Sequence, residues 1–381
     1  MKKPLEGLLV LEFCQFLAGP SAGLKLADMG ARVIKIERPV KGDACRQLAI
    51  KNLFIEDDSL LFHTINRNKE SYSADLKNPA DLEKVKKLIA KADVMTHNFR
   101  PGVMEKIGLD FETVKAINTK IIYGVVTGYG DKGPWANKPG QDLLVQSVSG
   151  LTYLSGKATD GPVPFGLSCS DIMCGNHLTQ GILAALIKRA KTGRGVLVEV
   201  SLLESTLDLQ FEVLTTYLND GGKLPERSSV KGSGHAYLSA PYGIYQTADS
   251  YLALAMGNLQ TICAAISCDI SVVNTNANSA FEKRDEILQL ISETLLQKTN
   301  AEWLNILEKE GIWCGPVLNY QQATEHPAFK ETHLKQSLNL GNHTIETTRS
   351  PIQLDGEKLY SAKPAPEIGA FNEFINLEFN L

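Results

Sequence analysis

Short apolar runs alternate with amphipathic stretches through the first half of this chain. Residues 7–13 (GLLVLEF) form an apolar run bounded by polar residues, which predicts a strand of a buried sheet. Residues 21–29 follow with helical spacing, and Gly30 stands where a left-handed turn closes a helix. Residues 31–36 (ARVIKI) predict the second strand. This strand–helix–strand order is what parallel pairing requires, since parallel neighbours need a long crossover. It repeats as a charged amphipathic helix over 81–92, a strand over 93–96, a turn at 98–102 (NFRPG), a helix over 111–118 and a strand over 121–126. The first 150 residues therefore predict a doubly wound α/β unit.

The second half reads differently. A strong helix over 178–191 carries Lys188, Arg189 and Lys191 in its last turn and Gly193 beyond it, which suits the negative helix end. A strand over 196–200 (VLVEV) and a long helix over 201–218 follow. Residues 219–234 are rich in Gly, Pro, Ser and charge and predict a linker. The stretch APYGIYQTADSYLALAM predicts an antiparallel hairpin around Asp249 and Ser250, with helices over 280–298 and 301–310 after it. Together these make a smaller α+β domain. Beyond about residue 330 the chain is loop-rich with few helix signals, and such a tail is expected to pack on another domain.

Composition narrows the function. A chain of 381 residues is long enough for two domains. Net charge is −4, which argues against general nucleic-acid binding because that needs a basic surface. The apolar run at the N-terminus is short and broken by Glu12, so it predicts a strand and not a signal peptide. No run of about 18 apolar residues occurs, and no membrane span is expected. The seven scattered cysteines suit free thiols in a reducing, cytoplasmic setting. Cys169, Cys174 and His177 lack the spacing of a zinc knuckle and have no second ligand pair, so no metal is expected.

The candidate chemistry centres on Asp171. It stands at the start of an apolar helix, with no other acidic residue within ten positions on either side. Peptide dipoles there favour the ionised carboxylate, which could serve as a nucleophile or base. The alternative is that Asp171 merely caps the helix. In open α/β sheets ligands bind beyond the carboxyl ends of the strands. Those ends carry residues 15–20 (QFLAGP), 37–39 (ERP), 98–101 (NFRP) and 128–130 (GYG), which suit a nucleotide-bearing ligand. Residues 128–133 formally match G-x-G-x-x-G, but prolines follow and no helix start receives a pyrophosphate. A dinucleotide oxidoreductase is disfavoured, and neither a G-x-S-x-G elbow nor a P-loop occurs. Gly232, Ser233, Gly234 and His235 form a flexible segment whose amides could close over a ligand, or a plain turn.

A series of segments runs along the chain: PLEGLLVLEF with AGP, GARVIKIERPVKGD, NRNKES with ADLKNP, ADVMTHNFRPGVMEKIGL, GYGDKGPW, DLLVQSVSGL, the Asp171 segment with KTGRGVLVEVSLLES, APYGIYQTADSYLALAMGN, IWCGPVLN and PEIGAF. In these segments, and in their order, nearly the whole chain resembles the class III CoA-transferases of CaiB/BaiF type, which include formyl-CoA and carnitine CoA-transferases. The resemblance implies a large Rossmann-like domain built from residues 1–218 and completed by 331–381. It further implies a linker at 219–234, a small α+β domain at 235–330, and two subunits interlocked like linked rings.

The resemblance assigns the catalytic aspartate to Asp171, through a mixed anhydride and an aspartyl-CoA thioester. Gly232 and Gly234 fall at the family's glycine loop, although the segment is shorter and less glycine-rich here. Coenzyme A contacts are implied at Phe16, Leu17, Ala18, Arg38, Lys77, Asn98, Phe99 and Lys106. Lys106 stands where formyl-CoA transferase has an arginine, which loses a bidentate phosphate contact. Coenzyme A or acyl-CoA is expected as substrate, with no permanently bound cofactor. A second branch, the 2-methylacyl-CoA racemases, uses a histidine base in a G-H-D segment. Here that triplet is Gly140, Gln141 and Asp142, and an amide has no useful basicity. Asp142 keeps the isomerase reading open, and a non-catalytic CoA-binding scaffold is the third reading. Gln141 and Asp142 are also pocket candidates, as are Tyr129, Phe165, Cys169 and Met173 by their proximity to Asp171, and the last four are equally candidates for core.

Overall fold

The computed structural model describes residues 2–269, 271 and 279–381. The chain divides into two compact units. The first comprises Met1–Val145, Ser168–Leu209 and Thr332–Leu381, and the second Gln146–Leu167 and Gln210–Glu331.

The first unit is built on a six-stranded parallel sheet. Its strands are β1 (Leu9–Glu12), β2 (Arg32–Glu37), β3 (Glu70–Ser73), β4 (Val94–His97), β5 (Ile122–Thr127) and β6 (Leu197–Ser201). They lie in the order β3-β2-β1-β4-β5-β6, with Val10 opposite both Val33 and Val94. The inner strands are apolar on both faces because both faces are covered. Val10, Val33, Val94 and Ile122 join one core with the helices Ala18–Asp28 and Cys169–Thr192. Leu9, Leu11, Ile34 and Met95 join another with Val85, Leu88 and Ile375. The sheet grows in opposite directions from β1, so the loops after β1 and β4 part there and leave a crevice for a ligand.

Several expected boundaries shift for identifiable reasons. The helix expected at 21–29 begins at Ala18, because Pro20 in a first turn forfeits no hydrogen bond. Gly30 does take a positive φ of 108°. The helix expected at 178–191 begins nine residues earlier, at Cys169. Gly175, inside this helix, marks a close helix contact. A methyl group there would sit 2.1 Å from Ser21 Oγ and 2.6 Å from the Ala18 carbonyl oxygen. The long helix expected over 201–218 breaks at Gln210 into Leu202–Leu209 and Phe211–Asn219. Strand β3 was not expected, since ESYS is polar. It is buried because Ser71 Oγ donates to Glu37 and Arg32 pairs with Glu70.

In the second unit the expected hairpin forms as Gly243–Gln246 against Tyr251–Leu254, joined by a third strand, Cys314–Pro316. The helix expected over 280–298 is split at Lys283 into Ser279–Glu282 and Arg284–Leu295. The helix Asn300–Lys309 starts with a capping box between Thr299 and Glu302. The tail holds more order than its sequence signals: a hairpin of Lys335–Leu340 with His343–Thr348, and the helix Asn372–Phe379. No helix among the described residues is long and apolar enough to cross a membrane.

Candidate active site

Three loops at the carboxyl rim of the sheet and one helix start bound a cleft of about 300 Å³. The loop after β1 supplies Gln15, Phe16 and Ala18. The loop after β4 supplies Asn98, Phe99, Arg100 and Pro101. The loop after β5 supplies Gly128, Ala136, Lys138, Pro139 and Gly140, and the helix Cys169–Thr192 supplies Asp171. A larger hollow of about 800 Å³ lies in the second unit. Its thiol, Cys314, has its pKa raised by burial, which leaves it a poor nucleophile.

Asp171 is the third residue of its helix, and Ser168 holds the N-cap position without a side-chain bond. The capping alternative therefore fails. The reverse arrangement is present: the backbone N–H of Asp171 donates to Asp142 Oδ1 at 3.2 Å, so a carboxylate 29 residues away closes the helix start. Burial first, and the Asp142 charge second, push the Asp171 pKa up to about 7. Both effects disfavour the ionised form.

The loop over 128–140 is pinched at its neck. A methyl group on Gly140 would sit 2.4 Å from the Gly128 Cα, so the two backbones touch. Neither glycine needs a positive φ; what they supply is close approach. The neck delivers Asp142 to the helix start, and Tyr129 meets the Trp135 ring edge-on at 5.7 Å within the loop.

The cleft thus gathers Phe16, Ala18, Asn98, Phe99 and Asp171. The Asn98 side chain is committed locally: its Oδ1 accepts from the Gln15 N–H at 2.8 Å and its Nδ2 donates to the Gln15 carbonyl at 2.7 Å. Arg38 lines a smaller adjoining recess with Gln15 and Phe99. Leu17 packs on the cluster of Cys45, Phe62, Ile65 and Ala365. Lys77 and Lys106 are exposed on the first unit, and neither lines the cleft or that recess. Gln141 is exposed, Cys169 is buried and Met173 is half-buried. Phe165, Gly232 and Gly234 belong to the second unit. There the Gly234 N–H donates to the Tyr242 carbonyl at 3.1 Å, and the Ile244 N–H donates to the Gly232 carbonyl at 2.7 Å.

Sequence reasoning passed over Lys138 and gave Gln15 and Arg100 no role beyond their loops. Lys138 sits beside Pro139 in a stretch that signals only a turn, and its place in the cleft follows from the glycine neck. It also passed over a Ser–His–Asp chain, in which His177 Nδ1 lies 2.9 Å from Ser205 Oγ and Nε2 lies 3.1 Å from Asp208. Ser205 is only 2% exposed, so no substrate carbonyl reaches it and the chain pins two helices together. Cys174 is buried with its pKa pushed up to about 12, and among the described residues no cluster of three or more His, Cys, Asp or Glu could hold a metal ion.

The comparisons with known proteins converge on one family. The profile of CoA-transferase family III matches residues 5–372. A human protein named succinyl-CoA:glutarate CoA-transferase is 31% identical over 98% of this chain and 85% of its own length. A protein of Acetobacter aceti named acetyl-CoA:oxalate CoA-transferase is 34% identical over 99% of this chain and 96% of its own. The crystal structure of a CaiB/BaiF family protein from Brucella suis superposes with a TM-score of 0.85 at 30% identity, covering all of both chains. The chain belongs to CoA-transferase family III, and its parallel-sheet α/β fold is the fold of CaiB/BaiF proteins.

Proposed function

We propose that the chain moves coenzyme A from an acyl-CoA thioester to a carboxylic acid through covalent species on Asp171. The observation that carries this reading is a single carboxylate facing a cleft at the rim of the sheet, with its pKa raised to about 7. Such a carboxylate is roughly half ionised near neutral pH and more nucleophilic than an ordinary one. Asp171 attacks the thioester carbonyl carbon, the carbon–sulfur bond breaks, and coenzyme A leaves as thiolate. The thiolate then attacks the aspartyl carbonyl of the mixed anhydride and releases the donor acid. The acceptor carboxylate attacks the resulting aspartyl-CoA thioester, again expelling thiolate. That thiolate takes the acyl group from the second anhydride and frees Asp171. Proton count is unchanged from start to finish.

Phe16, Leu17, Ala18, Asn98 and Phe99 are the proposed wall for the pantetheine arm. Arg38, Lys77 and Lys106, joined by Arg100 and Lys138, are proposed to meet the phosphates. Gly232 and Gly234 are the proposed amide donors to the tetrahedral oxyanions, and Gly234 must first release Tyr242 to serve. Tyr129, Gln141, Asp142, Phe165, Cys169 and Met173 remain the proposed surroundings of the acyl group. We read the large domain as Rossmann-like and the protein as an interlocked homodimer. Ile172, Ile187, Phe211 and Leu218 support a second copy, being large apolar side chains left 42–67% exposed. The seven free cysteines suit a cytoplasmic setting.

The test is intact mass after incubation with acetyl-CoA, succinyl-CoA and a branched acyl-CoA, beside Asp171→Ala. A CoA-sized adduct on the wild type alone is expected. Solvent deuterium entering the α-carbon of the branched substrate, with no adduct, would replace the transferase with an isomerase. Binding of coenzyme A with neither signal would leave a scaffold without this chemistry.

A further inference from the structure

The loop after β1 is held by buried groups that the reaction itself does not use. Phe16 lines the cleft, is 49% exposed, and has a positive φ of 63°. That conformation strains a bulky side chain and persists only where the surroundings enforce it. Here they do so residue by residue. Lys35 Nζ donates to the Cys14 carbonyl at 2.7 Å. Asn98 brackets Gln15 at both its N–H and its carbonyl. The Phe16 N–H donates to Asp43 Oδ1 at 3.1 Å, and that same oxygen accepts from the Cys45 N–H at 2.9 Å.

Asp43 is itself anchored. It is 1% exposed and ion-paired with Lys35 at 2.8 Å, and Lys35 also reaches Glu12 at 3.2 Å. The Asp43 N–H donates to Glu37 Oε1 at 2.9 Å, and Glu37 is held by Arg46 at 2.7 Å. Burying ions contributes little to stability on balance, and its best-attested use is to fix a unique arrangement. A charged network under a strained residue at a cleft wall fits that use.

We propose that Asp43 is a positioning residue for the cleft: its buried carboxylate, with Asn98 beside it, locks the loop at Gln15 and Phe16 into a left-handed turn that gives the coenzyme A thioester a preformed wall. The inference rests on the coenzyme A reading of the cleft. It also gives Asn98 a second task beside its place in the wall, the bracketing of Gln15. A preformed wall spares the ligand the cost of ordering it.

Glycine adopts the same φ without strain and does not need to be held. Coupling between positions 43 and 16 is therefore the signature, measured with coenzyme A itself by titration calorimetry. Asp43→Ala is expected to weaken binding about tenfold in the wild-type background but less than about twofold in a Phe16→Gly background. Hydrogen exchange at the Phe16 amide should accelerate in Asp43→Ala before any ligand is added. If leaving Lys35 with Glu12 as its one remaining carboxylate prevents that variant from folding, Asn98→Ala replaces it in the same cycle, since it removes no charge. Equal losses in both backgrounds would overturn the inference while leaving the cleft assignment intact. No coenzyme A binding by the wild-type chain would overturn both.

Discussion

At the scale of the residue, the pairing of Asp171 with Asp142 has a direct consequence in pH. An ordinary aspartate ionises at 3.8; Asp171 stays protonated until about 7 and is ionised above it. If the ionised form attacks, kcat/KM for the acyl-CoA rises with pH through a midpoint near 7. Asp142→Asn keeps an oxygen to accept the Asp171 N–H but removes the like charge. The midpoint should then move toward acid, and only partly, because burial is the larger cause. A pH–rate profile of the two proteins decides it, and coincident midpoints would assign the whole shift to burial. Asp171 could be singled out in the sequence by its isolation at a helix start. Asp142 stands out in the sequence as a possible base and a pocket candidate, not as a partner of the Asp171 backbone. Its contact with the Asp171 backbone spans 29 residues, and no local pattern encodes it.

At the scale of the element, backbone contacts place the groups of the cleft. Gly128 and Gly140 hold the neck of the loop that brings Lys138 into the cleft and Asp142 to the helix start. Gly140→Ala forces a methyl group onto backbone that cannot step aside. We expect a loss of about 1–3 kcal/mol in denaturant unfolding. Turnover should fall on the order of tenfold or more, as misplaced catalytic groups do. Gly315→Ala is the control: it meets nothing within 4 Å and should change stability by less than about 0.5 kcal/mol. A Gly140→Ala protein as stable and active as the control would show that the neck has slack. The sequence marks Gly128 only as part of a strand-end loop and Gly140 only as part of the triplet before Asp142. Turn, breaker and close approach share one residue type, and only the neighbour across the gap distinguishes them.

At the scale of the molecule, the chain's last segment completes the first unit. Asn372 brackets Ser73, accepting from its N–H at 2.8 Å and donating to its carbonyl at 2.9 Å, so the edge strand β3 is covered. Arg32 of β2 pairs with Glu378 at 2.7 Å, and Tyr72 donates to Asn376 at 2.8 Å. Ile375 is wholly buried in the core beneath the sheet. Ile375→Ala should cost about 2–5 kcal/mol. Urea unfolding measures it, and a loss under 1 kcal/mol would mean that the tail docks without supporting the sheet.

Local pattern determined a great deal. Five of the six strands of the parallel sheet, most of the helices around them, the second unit's hairpin and the prominence of Asp171 all follow from apolar spacing, turn residues and an isolated charge. These are properties of a few neighbouring residues, and they are written in order along the chain. Tertiary structure decided the rest. It buried the polar strand β3, carried the Cys169–Thr192 helix through Gly175, set Asp142 against the Asp171 backbone and turned Phe16 left-handed over Asp43. Each of these trades a local preference for a partner distant in sequence, such as a hydrogen bond, a close backbone approach or a buried ion. Its free energy exists only once the two segments have met.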